Sequence, residues 1–535
     1  MPRYLGIDVG TGSARAGIVD GSGALLGTGE AAIGLWRPRP GWAQHASADI
    51  WQAVCRATAA ARAAAGVGGV DGIGMDATCS LVAAGPDGAP VSVDPDGAED
   101  QDVIVWMDHR ALDDAAEINA IGGDPLAHVG GRISPEMQMP KLRWLRREAP
   151  DAWARAARVW DLSDWLVHHA TGTEARSLCA AVCKWTYMGH RGLQGEGWDD
   201  GFLDAIGLGE LTREGRARIG SRFLAPGTPA GVLDARAADE LGLAEGTPVG
   251  AALIDAHAGA LGTLGAGGEG AAGRLAVIAG TSTCHIALSP EPAFVPGVWG
   301  PYWGAVTPGT WCNEGGQSAA GALLDAVIAR HAAAAELAAA PGGVHAALAE
   351  RLAALAGPGG ETATLTARRH VQPDWHGNRS PLAEPWRRGT IDGLTLETGA
   401  DDLALDYLAA IQALAYGTRH IVEEMRAAGL AVDTLVPSGG LARSELFLRE
   451  MADATACAVA CPQVDEPVLL GAAMLGAVAA GHHADAAAAM AAMAPAAETR
   501  APRPALAGYH DRKYRVFRRM QADHAAYAEI METAQ

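Results

Sequence analysis

Short apolar runs broken by Gly-containing turns alternate with longer stretches at helical spacing along this chain. Residues 4–9 (YLGIDV), 15–20 (RAGIVD) and 24–30 (ALLGTGE) read as three strands joined by tight turns. Residues 47–65 read as a helix with Ser47 as its N-cap. Residues 70–75, 81–84 and 103–107 read as further strands, the last followed by a helix from Asp108. Residues 140–148 read as a helix opened by a proline, and 247–254 as an apolar strand with a helix beginning near Ala256. Strands and helices interleaved in this way predict α/β architecture. A chain of 535 residues exceeds one ordinary core, so two large domains are expected.

Self-comparison sharpens that expectation. Residues 5–19 read LGIDVGTGSARAGIV and residues 275–289 read LAVIAGTSTCHIALS. Both are an apolar strand, a Gly-Thr pair with small residues, and a second strand. Gly10-Thr11 aligns with Gly280-Thr281, which predicts two similar domains. Such a turn aims successive backbone N–H groups at one spot, and glycine removes the side chains that would block a close approach. Phosphate oxygens fit this concavity, with Thr11, Ser13 and Thr281 adding hydroxyls. Asp8 precedes the first turn where the second has Ile278. A carboxylate beside phosphate is repulsive unless a cation lies between, so Asp8 points to Mg²⁺ held partly through water. Ordinary hairpins with a turn-capping Asp8 are the alternative. No G-x-x-x-x-G-K-[ST] loop is present, and the glycines at 66–72 precede a strand rather than opening a helix.

Asp255 follows the apolar strand at 247–254, at the carboxyl end where open α/β sheets place ligands. It is either a base that accepts a hydroxyl proton during phosphoryl transfer or a helix N-cap. His257 reads as its structural neighbour. Glu314 and Gln317 lie in the polar run Asn313-Glu314-Gly315-Gly316-Gln317-Ser318, suited to a polyol or to a capping loop. Lys184 stands alone among apolar residues, as a snorkelling side chain or as an anion or sugar-oxygen contact. Gly439-Gly440 follows a strand and would admit a flat ring against the backbone, or serve only as a loop.

Composition then excludes whole classes of function. Lys plus Arg number 41 against 62 Asp plus Glu, a net charge of −21, which repels nucleic acid and anionic membranes. No run of 18 apolar residues occurs and the N-terminus enters a strand at once, so a cytoplasmic location is expected. Cys55, Cys79, Cys179, Cys183, Cys284, Cys312, Cys457 and Cys461 are scattered among apolar neighbours, as reduced thiols are. Cys179 and Cys183 are four apart, as are Cys457 and Cys461. Neither pair has a second pair or a His at zinc-finger spacing, so buried thiols are expected.

Taken together, these motifs resemble the FGGY carbohydrate kinases. The resemblance implies two actin-like (ribonuclease H-like) ATPase domains facing each other across a cleft. Residues 1–262 would carry the sugar site and first phosphate loop, and 263–535 the ATP site and second phosphate loop. Residues 8–15 look like the first phosphate motif, 279–282 like the second, 435–443 like the adenosine motif, and 466–475 like the helix closing the nucleotide pocket. Gln138 and Asp406 depart from the family's two signatures. The implied roles are Asp255 as base, Asp8 and Asp255 around Mg²⁺, and Gly10, Thr11, Gly12, Ser13, Arg15, Gly280 and Thr281 along the phosphates of ATP. Gly439 and Gly440 would contact adenosine. Within the family the likeness is nearest to the ribulokinases, through residues 76–80, 106–110, 177–187, 254–259 and 313–318. Cys79, Lys184, Asp255, Glu314 and Gln317 would then bind the sugar, and D-ribulose is the expected acceptor. L-ribulose, ribitol, xylulose and other polyols are the rival acceptors. A nucleotide-dependent binding module on the same fold is the rival class, and self-association as a homodimer stays open.

Overall fold

In a computed structural model, which describes residues 1–532, the first half of the chain is built on a seven-stranded sheet. Strands β1 (Arg3–Val9), β2 (Ser13–Asp20) and β3 (Leu25–Ala32) form an antiparallel meander, and helix α1 (Ser47–Ala65) lies across β2 and β3. Strand β4 (Gly72–Ala77) runs parallel to β1 on its other side. Because β1 and β4 are central, both their faces are covered, and they are buried along nearly their whole length rather than at alternate residues, Asp8 and Asp76 included. After helix α2 (Leu178–Lys184), strands β5 (Pro229–Val232) and β6 (Pro248–Gly250) extend the sheet. Strand β7 (Leu253–Ile254) pairs with the carboxyl end of β4 and passes directly into helix α3 (Asp255–Leu264).

The second half repeats the plan. Strands β8 (Arg274–Ala279) and β9 (Thr283–Ser289) form the echoing hairpin, which β10 (Trp299–Trp303) and β11 (Trp311–Gln317) continue. Helix α4 (Ala400–Ala427) packs on β11, and β12 (Thr434–Ser438) runs parallel to β8 as β4 does to β1. Strands β13 (Ala458–Pro462) and β14 (Ala497–Arg500) complete a second seven-stranded sheet. Both hairpins pair the strand before the Gly-Thr turn with the strand after it, the second one residue tighter: Asp8 pairs with Arg15 in the first and Ile278 with Cys284 in the second. The echo in sequence is therefore a repeated unit in space.

Helix α5 (Pro467–Ala479) ties the halves together. It follows β13 in the chain but lies on β1 and β4 of the first sheet and against α3. The crossing is too close for side chains. A Cβ at Gly471 would fall 1.9 Å from the Ala258 carbonyl oxygen, and one at Gly262 would fall 2.1 Å from that of Pro467. Helix α6 (Pro504–Glu532) packs back on the body through the buried Tyr514 and Phe517.

Two local expectations change. Ala46, not Ser47, occupies the N-cap position of α1. The Ser47 hydroxyl and N–H instead donate to the buried Asp102 carboxylate at 2.6 and 2.8 Å. The helix expected from Asp108 begins at Leu112, because the Asp108 carboxylate is drawn inward to accept from the Ala43 N–H and the buried Arg110 guanidinium.

Candidate functional site

Three carboxylates gather at the carboxyl ends of β1, β4 and β7. Asp8 and Asp76 are register partners on neighbouring parallel strands. Leu253 of β7 pairs with Asp76, so Asp255 emerges two residues beyond it at the same sheet end. Asp255 is the first helical residue of α3 rather than its N-cap, and its Oδ1 accepts from the Ala256 N–H at 2.7 Å. Asp8 is ion-paired to Arg15, which also donates to Glu466 at the start of α5 at 3.0 Å. Asp76 is fully buried, and no hydrogen-bond donor reaches either of its oxygens. Burial first, then the charges of Asp8 and Asp255, push the Asp76 carboxyl well above the usual range. Burial and then Asp8 push Asp255 up to about 6. Oxygen-only donors, mutual repulsion and an orphaned carboxylate are the chemistry that a hard divalent cation resolves, so these residues fit Mg²⁺.

The glycine turns lie beside this acidic end. In the first, the Gly10 N–H donates to the Ser13 carbonyl at 3.0 Å; in the second, the Gly280 N–H donates to that of Ser282 at 2.9 Å. Gly12, Gly280, Thr281, Gly439 and Gly440 are all exposed. A Cβ at Gly12 or Gly440 would meet nothing within 4 Å, so these glycines leave open space above the backbone. Gly439 has φ +86°, and a Cβ there would strike the Ala279 carbonyl, which sets the expected adenosine turn against the second phosphate turn. The Thr11 hydroxyl accepts from the Trp106 indole N–H at 2.9 Å, anchoring the first turn to the turn at 106–107; the strand expected over 103–107 is only Val103–Ile104.

The sugar-side candidates form a buried charged group. Lys184, the last residue of α2, lies 3.7 Å from Glu314 of β11. Arg379 reaches Glu314 from the far side at 3.0 Å. The Lys184 ammonium and the Arg379 guanidinium lie over the Trp299 ring, 4.4 and 4.3 Å from its centroid. Burial is the largest influence on the Lys184 pKa and lowers it; the Glu314 carboxylate foremost, with Cys79 and Cys183, turns the net direction upward, so the amine stays charged. Burial likewise opposes ionisation of Glu314, and Lys184 and Arg379 overcome it. Cys79 lies near Lys184 and Asp255, and burial pushes its thiol up to about 12, so it is a neutral thiol.

The fold does not bring Gln317 to this group. Strand residues alternate between faces, so Glu314 and Gln317, three apart in β11, point oppositely. Gln317 instead donates to the Leu414 carbonyl and the Thr418 hydroxyl of α4 at 3.0 and 3.1 Å. Of the two departures from the signatures, Gln138 donates to the Cys79 carbonyl at 3.1 Å and Asp406 pairs with Arg369. Sequence reasoning missed Asp76 as a member of the acidic group, although it lies in a motif singled out. It also missed Arg379, Trp299 and Glu136, whose charge acts on Arg379 and Lys184. These last three have no local pattern that marks them.

Comparison with known proteins agrees with this geometry. The profile of the FGGY family of carbohydrate kinases, N-terminal domain, matches residues 3–262, and that of the C-terminal domain matches residues 275–480. An FGGY carbohydrate kinase domain-containing protein of Danio rerio is 44% identical, with 99% of each chain covered. A D-ribulokinase of Saccharomyces cerevisiae is 40% identical over 89% of this chain and 72% of its own length. A xylulose kinase from Brucella ovis has the same fold, with a TM-score of 0.81 at 25% identity, covering 98% of this chain and 100% of its own. Two facing repeats with paired glycine turns, matched over nearly the whole length, leave one assignment: the chain belongs to the FGGY family of carbohydrate kinases and is an ATP-using sugar kinase.

Proposed function

We propose that this protein transfers the γ-phosphoryl group of ATP to the terminal hydroxyl of a ketopentose, converting D-ribulose to D-ribulose 5-phosphate. The observation that carries the reading is Asp255. It is a carboxylate with a raised pKa, only partly buried, beside a carboxylate pair on one side and the Lys184–Glu314–Arg379 group on the other. A base near pH 6 is ionised at neutral pH yet basic enough to take a hydroxyl proton as the oxygen attacks phosphorus. The similarity to a D-ribulokinase supports the choice of acceptor.

In this reading residues 1–262 carry the base, Lys184 and the first phosphate turn of the sugar side, and 263–535 the nucleotide site, while lending Glu314, Arg379 and Trp299 to the sugar pocket. The division is supported by the two sheets, whose strands lie wholly before residue 255 and after residue 273. Lys184, Glu314 and Arg379 bind sugar hydroxyls, while Trp299 walls the pocket. Gly10, Thr11, Gly12 and Ser13 receive phosphate oxygens from one side, Gly280 and Thr281 from the other, and Gly439-Gly440 takes the adenosine. Arg15, bridged to Asp8 and Glu466, holds the first turn against α5. Asp8, Asp76 and Asp255 would hold Mg²⁺, which when bound supplies positive charge to the phosphoryl oxygens. Closure of the two halves excludes water, the competing acceptor. Sugar-dependent ADP release across D-ribulose, L-ribulose, xylulose, ribitol and glycerol is the test. D-ribulose is expected to give the highest kcat/KM; a preference for glycerol or a hexose would overturn the acceptor.

A further inference from the structure

Behind the sugar group lies a second cluster that the kinase chemistry does not use. Cys179 and Cys183 are four apart in α2, so their side chains share one face of the helix a turn apart. The fold brings His257 of α3 against them. One sulfur from each cysteine and one imidazole nitrogen lie within 4.8 Å of one another, and the Cys183 Sγ is 3.5 Å from His257 Nε2. All three residues are fully buried. The His257 ring has this weak sulfur contact at Nε2, and its Nδ1 has no hydrogen-bond partner. Cys312 of β11 lies close enough for its charge to act on Cys183 and to respond to that of Cys179.

We propose that Cys179, Cys183 and His257 bind a zinc-class divalent ion, with Cys312 or a water in the fourth position. Soft sulfur plus imidazole is the donor set that selects such an ion. A tetrahedral zinc with Zn–S of about 2.3 Å and Zn–N of about 2.1 Å separates sulfur from nitrogen by about 3.6 Å, close to the 3.5 Å between Cys183 Sγ and His257 Nε2. With water in the fourth position, binding converts the Cys179 and Cys183 thiols to thiolates, releases two protons and leaves the buried site neutral; with Cys312 there, a third proton leaves and the site carries one negative charge. The sequence spacing conceals this site because the third ligand comes from a helix more than 70 residues away.

The ion would staple α2 to α3. Cys183 adjoins Lys184, and His257 lies two residues after Asp255, so the staple sets the separation of the sugar-binding amine from the base. That consequence rests on the roles proposed above for Lys184 and Asp255; metal binding itself does not. The test uses the full-length, untagged chain produced in zinc-supplemented medium. About one zinc per chain is expected by elemental analysis. Replacement by Co²⁺ should give a near-ultraviolet sulfur-to-cobalt charge-transfer band, and both signals should vanish in C179A and C183A. Either of two results would overturn the proposal: wild-type protein with no bound metal and no cobalt band, or metal that persists in the double variant. Because the wild-type measurements need no substitution and no turnover, they stand even if a variant fails to fold or the acceptor assignment fails.

Discussion

Replacing Asp255 with Asn separates its chemical role from its structural one. Asn keeps the shape and the oxygen that accepts from the Ala256 N–H, but not the charge. If Asp255 is the base, turnover should fall roughly 10²- to 10⁴-fold while sugar and nucleotide still bind. Stability should move the other way. Burial and Asp8 raise the Asp255 pKa from 3.8 to about 6, so its ionised form is disfavoured in the folded state. A rise of that size corresponds to at most about 3 kcal/mol of destabilisation at neutral pH, less whatever solvent in the cleft screens away. An acid with a raised folded pKa carries this penalty fully above pH 6 and loses it below 3.8. Asp255→Asn should therefore raise Tm by a few degrees at pH 7.5, with the gain fading towards pH 4. Wild-type kcat/KM should likewise fall with unit slope below pH about 6. Calorimetry across that range, with a coupled assay on the same samples, reads all three effects. A variant within tenfold of wild-type turnover, or a gain in Tm that persists at pH 4, would refute the reasoning.

The other expectations are narrower. Glu314→Gln strands the charges of Lys184 and Arg379 in buried surroundings and should lower stability by about 3 kcal/mol or more, with a raised sugar KM; an unchanged Tm would count against the buried group. Asp76→Asn removes the orphaned carboxylate, so the Mg²⁺ concentration needed for half-maximal rate should rise while sugar KM holds, as titration of the metal would read. Gly471→Ala puts a methyl 1.9 Å from the Ala258 carbonyl and must part α3 from α5. A loss of about 1–3 kcal/mol is expected in denaturant unfolding, and a neutral result would show that the helices slide freely.

Much of the site is written locally. Gly10-Thr11 and Gly280-Thr281 declare themselves because a phosphate-gripping turn needs glycine at fixed offsets from an apolar strand, and backbone geometry is set by neighbours in the chain. Asp255 at a strand end is legible for the same reason. Gln317 was misleading because its polar run reads as a loop, whereas as a strand its alternation turns it towards α4 and away from Glu314. Asp76 carries a local motif, but its isolation from every donor becomes visible only when β1 and β7 close on either side.

Charge partners are a different matter. Arg379 reaches Glu314 across 65 residues, Arg15 reaches Glu466 across 451, and His257 reaches Cys183 across 74. Periodicity and turn chemistry act over a few residues and so dictate strands, hairpins and their duplication. Which buried charge meets which counter-charge depends on how two sheets and the α3–α5 crossing pack, and no spacing along the chain encodes that.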